Sequence, residues 1–399
     1  MLEAALTAGL CSIGAHVFHA GTLPSPAVAY LIRHYRLDAG IMISASHNAF
    51  EDNGIKFFNQ EGFKLADSIE AEIEQIVRQM EQGQDNLPRP TGEGVGIVKP
   101  CPYALDDYAS YLLSTVPGLR LDDLKIALDC ANGAASEIAP LVFSKLGARV
   151  RTLSNNPDGI NINKNCGSTH LASLQEHVVA QNADIGLAFD GDADRMMAID
   201  ASGEVIDGDI VLAICGLDLH ERGQLNKGTL VGTVMSNQGL EIFCRKHNII
   251  LHRTDVGDRY VLEKMLAGDL PIGGEQSGHI IFRQFSTTGD GLLTALQLLS
   301  VMVRKNQSAS ALAGIMQKLP QVLVNVTVPN HRKLAFSTHT EIQKVQADIE
   351  SRLAGEGRIL VRSSGTEPLV RVMIEGKDQS EIRQWAQELA DAIDQYMND

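Results

Sequence analysis

Ala183-Asp-Ile-Gly-Leu-Ala-Phe189 is a largely apolar run that ends on Asp190-Gly-Asp192-Ala-Asp194-Arg195. A short apolar run bounded by turn residues reads as a buried strand. Its end delivers carboxylates at every second position into a loop softened by Gly191 and Ala193. Carboxylates that close repel strongly without a cation, so the motif calls for a hard divalent ion such as Mg²⁺. The plainer alternative is a solvated acidic turn. An EF-hand loop also begins with alternating acids, but it needs glycine at its sixth position and glutamate at its twelfth. Those positions hold Arg195 and Ala201, so the calcium-loop reading fails. A metal site with an arginine beside it suits a phosphorylated substrate.

Outward from this strand the chain alternates helices and strands. The same block carries a helix at about Tyr103–Ser114, strand Lys125–Asp129, helix Ala135–Leu146, strand Arg149–Leu153 and helix Leu171–Gln181. An earlier block has an N-terminal helix, a short strand His16–His19, a helix over Pro24–Arg36 and a strand from Ala39. A loop with a strand within His47–Asn59 and a charged amphipathic helix at about Leu65–Gly83 follow. A Pro- and Gly-rich stretch, Asn86–Pro102, separates these two blocks. Its Gly92-Glu-Gly-Val-Gly96 does not match G-x-G-x-x-G and reads as linker.

A third block repeats the pattern with helix Asp207–Arg222, strand Thr229–Thr233, helix Gln238–Lys246, strand Ile249–Arg253, helix Asp258–Leu266 and strand His279–Phe282. Such alternation signals parallel α/β units. From about Pro320 the pattern changes to strand Val322–Val328, helix Thr338–Leu353, paired strands Gly357–Arg362 and Leu369–Glu375, and a helix from Gln379. The expected fold is three successive α/β domains with mixed sheets, at 1–100, 101–198 and 199–310, plus a C-terminal α+β domain at 320–399.

A length of 399 residues accommodates two to four domains, and 44% hydrophobic with 21% charged residues is an ordinary soluble composition. A net charge of −15 with no basic stripe excludes a nucleic-acid partner. No stretch reaches the roughly 18 apolar residues of a membrane helix. Met1–Val17 contains no Lys or Arg and so lacks the basic start of a secretory signal. Cys11, Cys101, Cys130, Cys166, Cys215 and Cys244 show no C-x-x-C or zinc-like spacing, which points to a reduced, cytoplasmic protein.

Three further motifs carry chemistry. Ser44-Ala-Ser-His-Asn48 follows the strand from Ala39, and a serine beside a histidine can act as a nucleophile. It lacks the G-x-S-x-G elbow, which disfavours that hydrolase chemistry, and a polar turn is the alternative. The loop continues through Asp52-Asn-Gly-Ile-Lys56, which returns Lys56 to the same neighbourhood. Gly274-Glu-Gln-Ser-Gly-His279 spaces Glu275, Ser277 and His279 alternately, on one side of an extended segment, unless it is a hairpin rim. The carboxylate and hydroxyl suit sugar hydroxyls, and the histidine suits proton transfer. Arg362-Ser-Ser-Gly-Thr-Glu-Pro368, with Arg371 shortly after, offers hydroxyls, backbone N–H groups and arginine for a phosphate, or is simply a Ser-Gly turn.

Together and in this order the sets SASHN, DGDAD-R, GEQSGH and RSSGTEP resemble the α-D-phosphohexomutase family over essentially the whole chain. GEQSGH, Val256-Gly-Asp-Arg-Tyr260 and SGTEP look most like its bacterial phosphoglucosamine mutase branch. The resemblance implies four domains around a central cleft and interconversion of glucosamine 6-phosphate and glucosamine 1-phosphate. Glucose- or mannose-phosphate mutase activity is the alternative, as is a catalytically impaired phosphosugar-binding protein.

By the same resemblance Ser46 is the phosphoserine. One Mg²⁺ per chain is held by Asp190, Asp192, Asp194 and Ser46, and a hexosamine 1,6-bisphosphate serves as activator and intermediate. His47, Lys56, Arg195 and His279 take catalytic roles. Asp258, Arg259, Glu275 and Ser277, with Arg362, Ser364, Gly365, Thr366 and Arg371, bind the phosphosugar. A homodimer is compatible with it, and no membrane is involved.

Two departures stand out. The chain shows neither the family's Gly-Thr-Asp-Gly-Ile-Arg-Gly type opening nor the strand ending in Lys-Asp-Thr-Arg. An N-terminally shortened first domain, with reduced or lost turnover, is the expectation this raises. Ala49 stands where relatives carry proline, which leaves the SASHN loop less rigid.

Overall fold

The computed structural model describes residues 1–364 and 367–398. The chain divides into two compact units, Met1–Met235 with Asn248–Ile315, and Ser236–His247 with Met316–Asp399. The three α/β domains and the C-terminal α+β domain expected from the sequence are present.

The larger unit starts with α1 (Leu2–Ser12), β1 (Val17–His19), α2 (Ser25–Tyr35), β2 (Ala39–Ser44), β3 (Gly54–Asn59), α3 (Asp67–Glu81) and β4 (Val98–Pro100). The prolines flanking Ser25 favour the first turn of α2, where a missing N–H costs nothing. Arg36, in a left-handed conformation, ends that helix. Ala29 and Ile32, three residues apart and so on one face, bury against Phe58 of β3. β2 and β3 pair antiparallel, and β1 pairs in parallel with β4. Sequence patterning misplaced two features here. Residues 45–53 are turns, so the strand expected within His47–Asn59 begins only at Gly54. The Pro- and Gly-rich stretch 86–102 also holds β4, just beyond the glycines read as linker, a strand of three residues too short to show a period.

The second domain comprises α4 (Ala104–Ser114), β5 (Lys125–Asp129), α5 (Ala135–Lys145), β6 (Arg149–Leu153), α6 (Ala172–Gln181), β7 (Ile185–Phe189), β8 (Met196–Asp200) and β9 (Val205–Ile206). Its sheet runs β6-β5-β7-β8-β9, parallel through the first three strands and antiparallel beyond. Every residue of β7 is buried, as a central strand covered on both faces requires. β8 escaped the sequence reading because Met196-Met-Ala-Ile-Asp200 neither alternates nor is rich in β-branched residues. Its presence makes the acidic loop the connection of a β7–β8 hairpin, closed by the pair Phe189↔Met196.

The third domain holds α7 (Gly208–Glu221), β10 (Thr229–Thr233), then, after a segment of the smaller unit that includes α8 (Gln238–Lys246), β11 (Ile250–Thr254), α9 (Asp258–Gly268), β12 (Ile272–Gly274), β13 (Ile280–Phe282), α10 (Gly291–Lys305) and α11 (Ala309–Ala313). The sheet order is β11-β10-β12-β13, with only the β12–β13 pair antiparallel. α10 was not foreseen: residues 291–303 carry no charge, and only the uncharged Thr294, Gln297 and Ser300, three residues apart, mark a polar side on an otherwise apolar, mostly buried helix. No helix of the described residues is long and apolar enough to cross a membrane.

The smaller unit adds β14 (Gln321–Thr327), α12 (Thr340–Leu353), β15 (Arg358–Ser363), β16 (Leu369–Glu375) and α13 (Gln379–Asn398) to α8. Its antiparallel sheet, β14-β16-β15, buries Val326, Val370, Val372 and Ile374 against Ile349 of α12 and Leu389 and Ile393 of α13. Glu375, fully buried, is compensated by Arg358 Nε (2.6 Å), the Gln238 backbone N–H (2.9 Å) and Asn237 Nδ2 (3.2 Å).

Candidate active site

The six-residue hairpin connection between β7 and β8 folds its carboxylates inward. Asp190 and Asp192 are fully buried, and Asp194 is nearly so. Each spends one oxygen on a protein donor. Asp190 Oδ1 accepts from the Arg195 backbone N–H (3.1 Å). Asp192 Oδ2 accepts from Lys56 Nζ (2.5 Å) and from the Ser25 hydroxyl. Asp194 Oδ2 accepts from Lys56 Nζ at 3.3 Å. The opposite oxygens, Asp190 Oδ2, Asp192 Oδ1 and Asp194 Oδ1, are buried with no hydrogen-bond partner. One oxygen from each carboxylate lies within 4.8 Å of the others. Buried carboxylate oxygens without donors are costly, and an all-oxygen set of this kind fits a hard cation. Burial, then the charges of Asp194 and Asp192, drive the Asp190 carboxyl well above its ordinary range. For Asp194 burial acts in the same direction, but His279, Lys56, Lys64 and Arg195 outweigh it and hold its carboxyl low.

Ser46 meets this loop through its backbone. β2 ends at Ser44, and the chain turns through Ala45–Asn48, with the Asn48 N–H donating to Ala45 O at 2.9 Å. Ser46 takes a left-handed φ of 53° and donates its N–H to Ser44 Oγ at 2.9 Å. Its carbonyl accepts from the Gly191 N–H at 3.0 Å, between two of the acidic residues. A Cβ on Gly191 would stand 2.5 Å from that carbonyl, so the approach needs glycine. Lys56, opposite Met42 on β3, reaches the same carboxylates from the other strand of the hairpin. Burial acts to lower its ammonium pKa, but Asp194 and Asp192 prevail and raise it. His47 is exposed, and partial burial of its ring followed by the Arg195 charge depresses its pKa.

His279 closes another side. Its backbone bridges to Arg195, and its buried ring sets Nε2 at 4.0 Å from Asp194 and 3.6 Å from Asp258. Both ring nitrogens lack a hydrogen-bond partner, as do Arg195 Nε and Ser277 Oγ. Asp258, at the first position of α9, is ion-paired with Lys64. The extended reading of Glu275, Ser277 and His279 is corrected here. The segment is a tight turn between β12 and β13, with Glu275 N–H donating to His279 O and Gly278 N–H to Glu275 O, each at 3.0 Å. Strict alternation fails in a turn, so Glu275 instead caps the Gly257 N–H (3.1 Å) while Ser277 and His279 are buried polar groups without partners. Arg259 pairs with Asp67 and Glu263, and no described contact ties it to the carboxylates.

Within the smaller unit, β15 and β16 set Arg362 directly opposite Arg371. Like charges so paired are unfavourable unless an anion bridges them. Arg371 is also bonded to Glu367 (2.7 Å). The Ser364 N–H donates to Leu369 O, and Lys333 Nζ donates to Ser364 O, both at 2.8 Å. Gly365 and Thr366, expected to complete this loop, lie outside the described residues.

Models of four phosphoglucomutase/phosphomannomutase domains match the chain in order: α/β/α domain I at 1–84, α/β/α domain II at 106–203, α/β/α domain III at 207–319 and the C-terminal domain at 323–392. The chain belongs to the phosphoglucomutase/phosphomannomutase family. Phosphoglucosamine mutase of Acetivibrio thermocellus is 51% identical over 397 residues, spanning 100% of this chain and 88% of the relative. That of Clostridium acetobutylicum is 52% identical over 398 residues, with the same coverage. Among solved structures, a phosphoglucomutase/phosphomannomutase family protein of Burkholderia thailandensis superimposes with a TM-score of 0.79 at 23% identity, covering 98% of this chain and 85% of that one. N-acetylphosphoglucosamine mutase of Aspergillus fumigatus, in complex with GlcNAc-6P and magnesium, gives 0.69 at 18% identity, covering 99% of each chain. These two likenesses establish the shared fold.

Three residues of this family member's site had no signal in its sequence. Ser25 reads as a helix start, yet its N–H also donates to Asp192 O (3.0 Å) and its hydroxyl to the Asp192 carboxylate. Lys64 lies in an unremarkable loop and reaches Asp258 across 194 positions. Asn163, in an asparagine-rich loop, touches the Ser46 turn across 117 positions. Contacts at that separation depend on domain packing, which periodicity does not encode.

Proposed function

We propose that the chain is a phosphoglucosamine mutase, interconverting glucosamine 6-phosphate and glucosamine 1-phosphate through a phosphoserine at Ser46 and a hexosamine 1,6-bisphosphate. The observation that carries this reading is the Ser46 carbonyl on the Gly191 N–H at 3.0 Å, which ties the nucleophile's turn to the carboxylate loop. Full-length identity of about half to phosphoglucosamine mutases supports the choice of sugar. The phosphoryl group leaves Ser46 Oγ for the free sugar hydroxyl, whose proton passes to a nearby base. The other phosphoryl group then returns to Ser46 Oγ, and isomerised monophosphate departs.

Asp190, Asp192 and Asp194, with the phosphoserine, would hold Mg²⁺, and an ion bound there neutralises charge on the group in transit. Lys56 keeps two of these carboxylates in place and adds positive charge beside the phosphoryl group. His279, whose ring nitrogens have no protein partner, is placed to take or give the hydroxyl proton, with His47 at the open side. Arg195 balances negative charge at the loop's end. Glu275 and Ser277 face sugar hydroxyls from the β12–β13 turn, flanked by Asp258 and Arg259. Arg362 and Arg371, with Ser364, Gly365 and Thr366, hold the phosphate that is not reacting. Six free cysteines fit a reducing cytoplasm, where this chemistry would operate. Coupled assays on glucosamine, glucose and mannose 6-phosphates test the reading: the highest kcat/KM falls on glucosamine 6-phosphate, and preference for either hexose overturns it.

A further inference from the structure

We propose that Asn163 is a positioning residue that fixes the Ser46 turn against the carboxylate loop for phosphoryl transfer; this rests on the mutase reading above. Ser46 occupies the left-handed region (φ 53°), which costs a residue with a Cβ about 1–2 kcal/mol. Such a conformation persists only where its surroundings over-determine it. Asn163 Nδ2 donates to Ser46 O at 2.8 Å and to Asn48 O at 2.7 Å. An amide nitrogen carries two hydrogens, and facing these two carbonyl oxygens spends both of them without adding a charge.

Asn163 is buried, and its own N–H donates to Ala131 O at 2.9 Å, so the clamp is anchored in the second domain. The Ser46 carbonyl therefore receives two donors from that domain, Gly191 N–H and Asn163 Nδ2. With its carbonyl and N–H both held, Ser46 has only its side chain left to orient. Removing the clamp frees the turn while the carboxylates, the sugar turn and the phosphate loop stay untouched. The loss falls on transfer, not on binding.

Asn163 itself has φ 56°, so Asn163→Gly deletes the amide without backbone strain. For this variant kcat for glucosamine 6-phosphate drops roughly 100-fold, with KM within about twofold of wild type. Amide hydrogen exchange at residues 46–50 accelerates. A kcat within about threefold of wild type, or KM rising in step with the loss of kcat, overturns the proposal. If Asn163→Gly does not fold, Asn163→Asp, isosteric but without donors, is read by the same criteria. Failure of both to fold makes Asn163 a general stability residue and likewise overturns it. Wild-type protein without mutase turnover sinks the mutase reading instead, and exchange at residues 46–50 unchanged by Asn163→Gly then refutes the clamp itself.

Discussion

Replacing Lys56 by methionine separates the electrostatics of the carboxylate cluster from its packing. Lys56 Nζ lies 2.5 Å from Asp192 Oδ2 and 3.3 Å from Asp194 Oδ2, with the lysine side chain 22% exposed and the carboxylates almost wholly buried. Methionine keeps most of the apolar stem and deletes the charge. Breaking a buried pair by removing one partner costs about 3–5 kcal/mol. With about 2.1 cal/mol/K per residue over the roughly 300 residues of the larger unit, that lowers Tm by about 5–8 °C in EDTA. A divalent ion on the same carboxylates supplies the missing positive charge, so in saturating Mg²⁺ the cost shrinks to about 1–2 kcal/mol. The difference must reappear as affinity, since linkage is reciprocal. Roughly 3 kcal/mol corresponds to about 100-fold tighter Mg²⁺ binding. Thermal unfolding with and without Mg²⁺, together with calorimetric titration, measures both sides of the cycle. Equal losses of Tm in EDTA and Mg²⁺, with unchanged Mg²⁺ affinity, would show that lysine and metal do not share these carboxylates, and the reasoning would fail.

Two further outcomes are expected. Gly191→Ala places a Cβ 2.5 Å from Ser46 O, so the serine turn must retreat, and kcat falls roughly 100-fold while KM for the sugar phosphate barely moves. Steady-state kinetics check it, and wild-type kcat would mean the close approach is not required. Asp290, the buried N-cap of α10, accepts from the Tyr108 hydroxyl (2.7 Å) and the Leu293 N–H (2.9 Å), while burial pushes its pKa up to about 6. Because the folded pKa exceeds the unfolded one, Asp290 costs nothing below about pH 4, and the cost grows as pH rises to about 6. Above that it stands at about 3 kcal/mol. Asp290→Asn keeps an acceptor for the cap, so it stabilises the protein by about 2 kcal/mol at pH 7.5 and flattens the decline in Tm between about pH 4 and 6. An unchanged pH profile would count against a raised pKa.

The local elements and the chemistry were legible to different degrees. β5, β10 and β16 could be delimited to the residue from short, largely apolar runs bounded by turn residues, and β6 from the alternation of Arg149, Val150 and Arg151. β8 and α10 could not, since Met196–Asp200 neither alternates nor is rich in β-branched residues, and α10 offers only three uncharged polar residues among its apolar ones. The acidic loop announced itself, because three carboxylates in five residues are intolerable without compensation. Ser46 could be picked out as a serine at a strand end, but its meeting with Gly191 lies in domain packing. The Glu275–His279 segment is the hairpin rim given as the alternative to an extended strand: Gly274 and Gly278 make a turn, and a turn breaks the two-residue period. Arg362 and Arg371 read as phosphate ligands from their motif, and the structure sets them opposite each other across β15 and β16. The partners of Asp192 and Asp258, Ser25 and Lys64, are ordinary surface types whose roles exist only once the domains have come together.

The account stands on Ser46 carrying the phosphoryl group beside the acidic hairpin. Incubating the purified chain with glucose 1,6-bisphosphate and Mg²⁺, followed by intact-mass and phosphopeptide analysis, tests this directly. The expected result is one phosphate per chain on Ser46, absent in EDTA and discharged by glucosamine 6-phosphate. Phosphate on another residue, or none at all in a folded and Mg²⁺-loaded chain, would contradict the account.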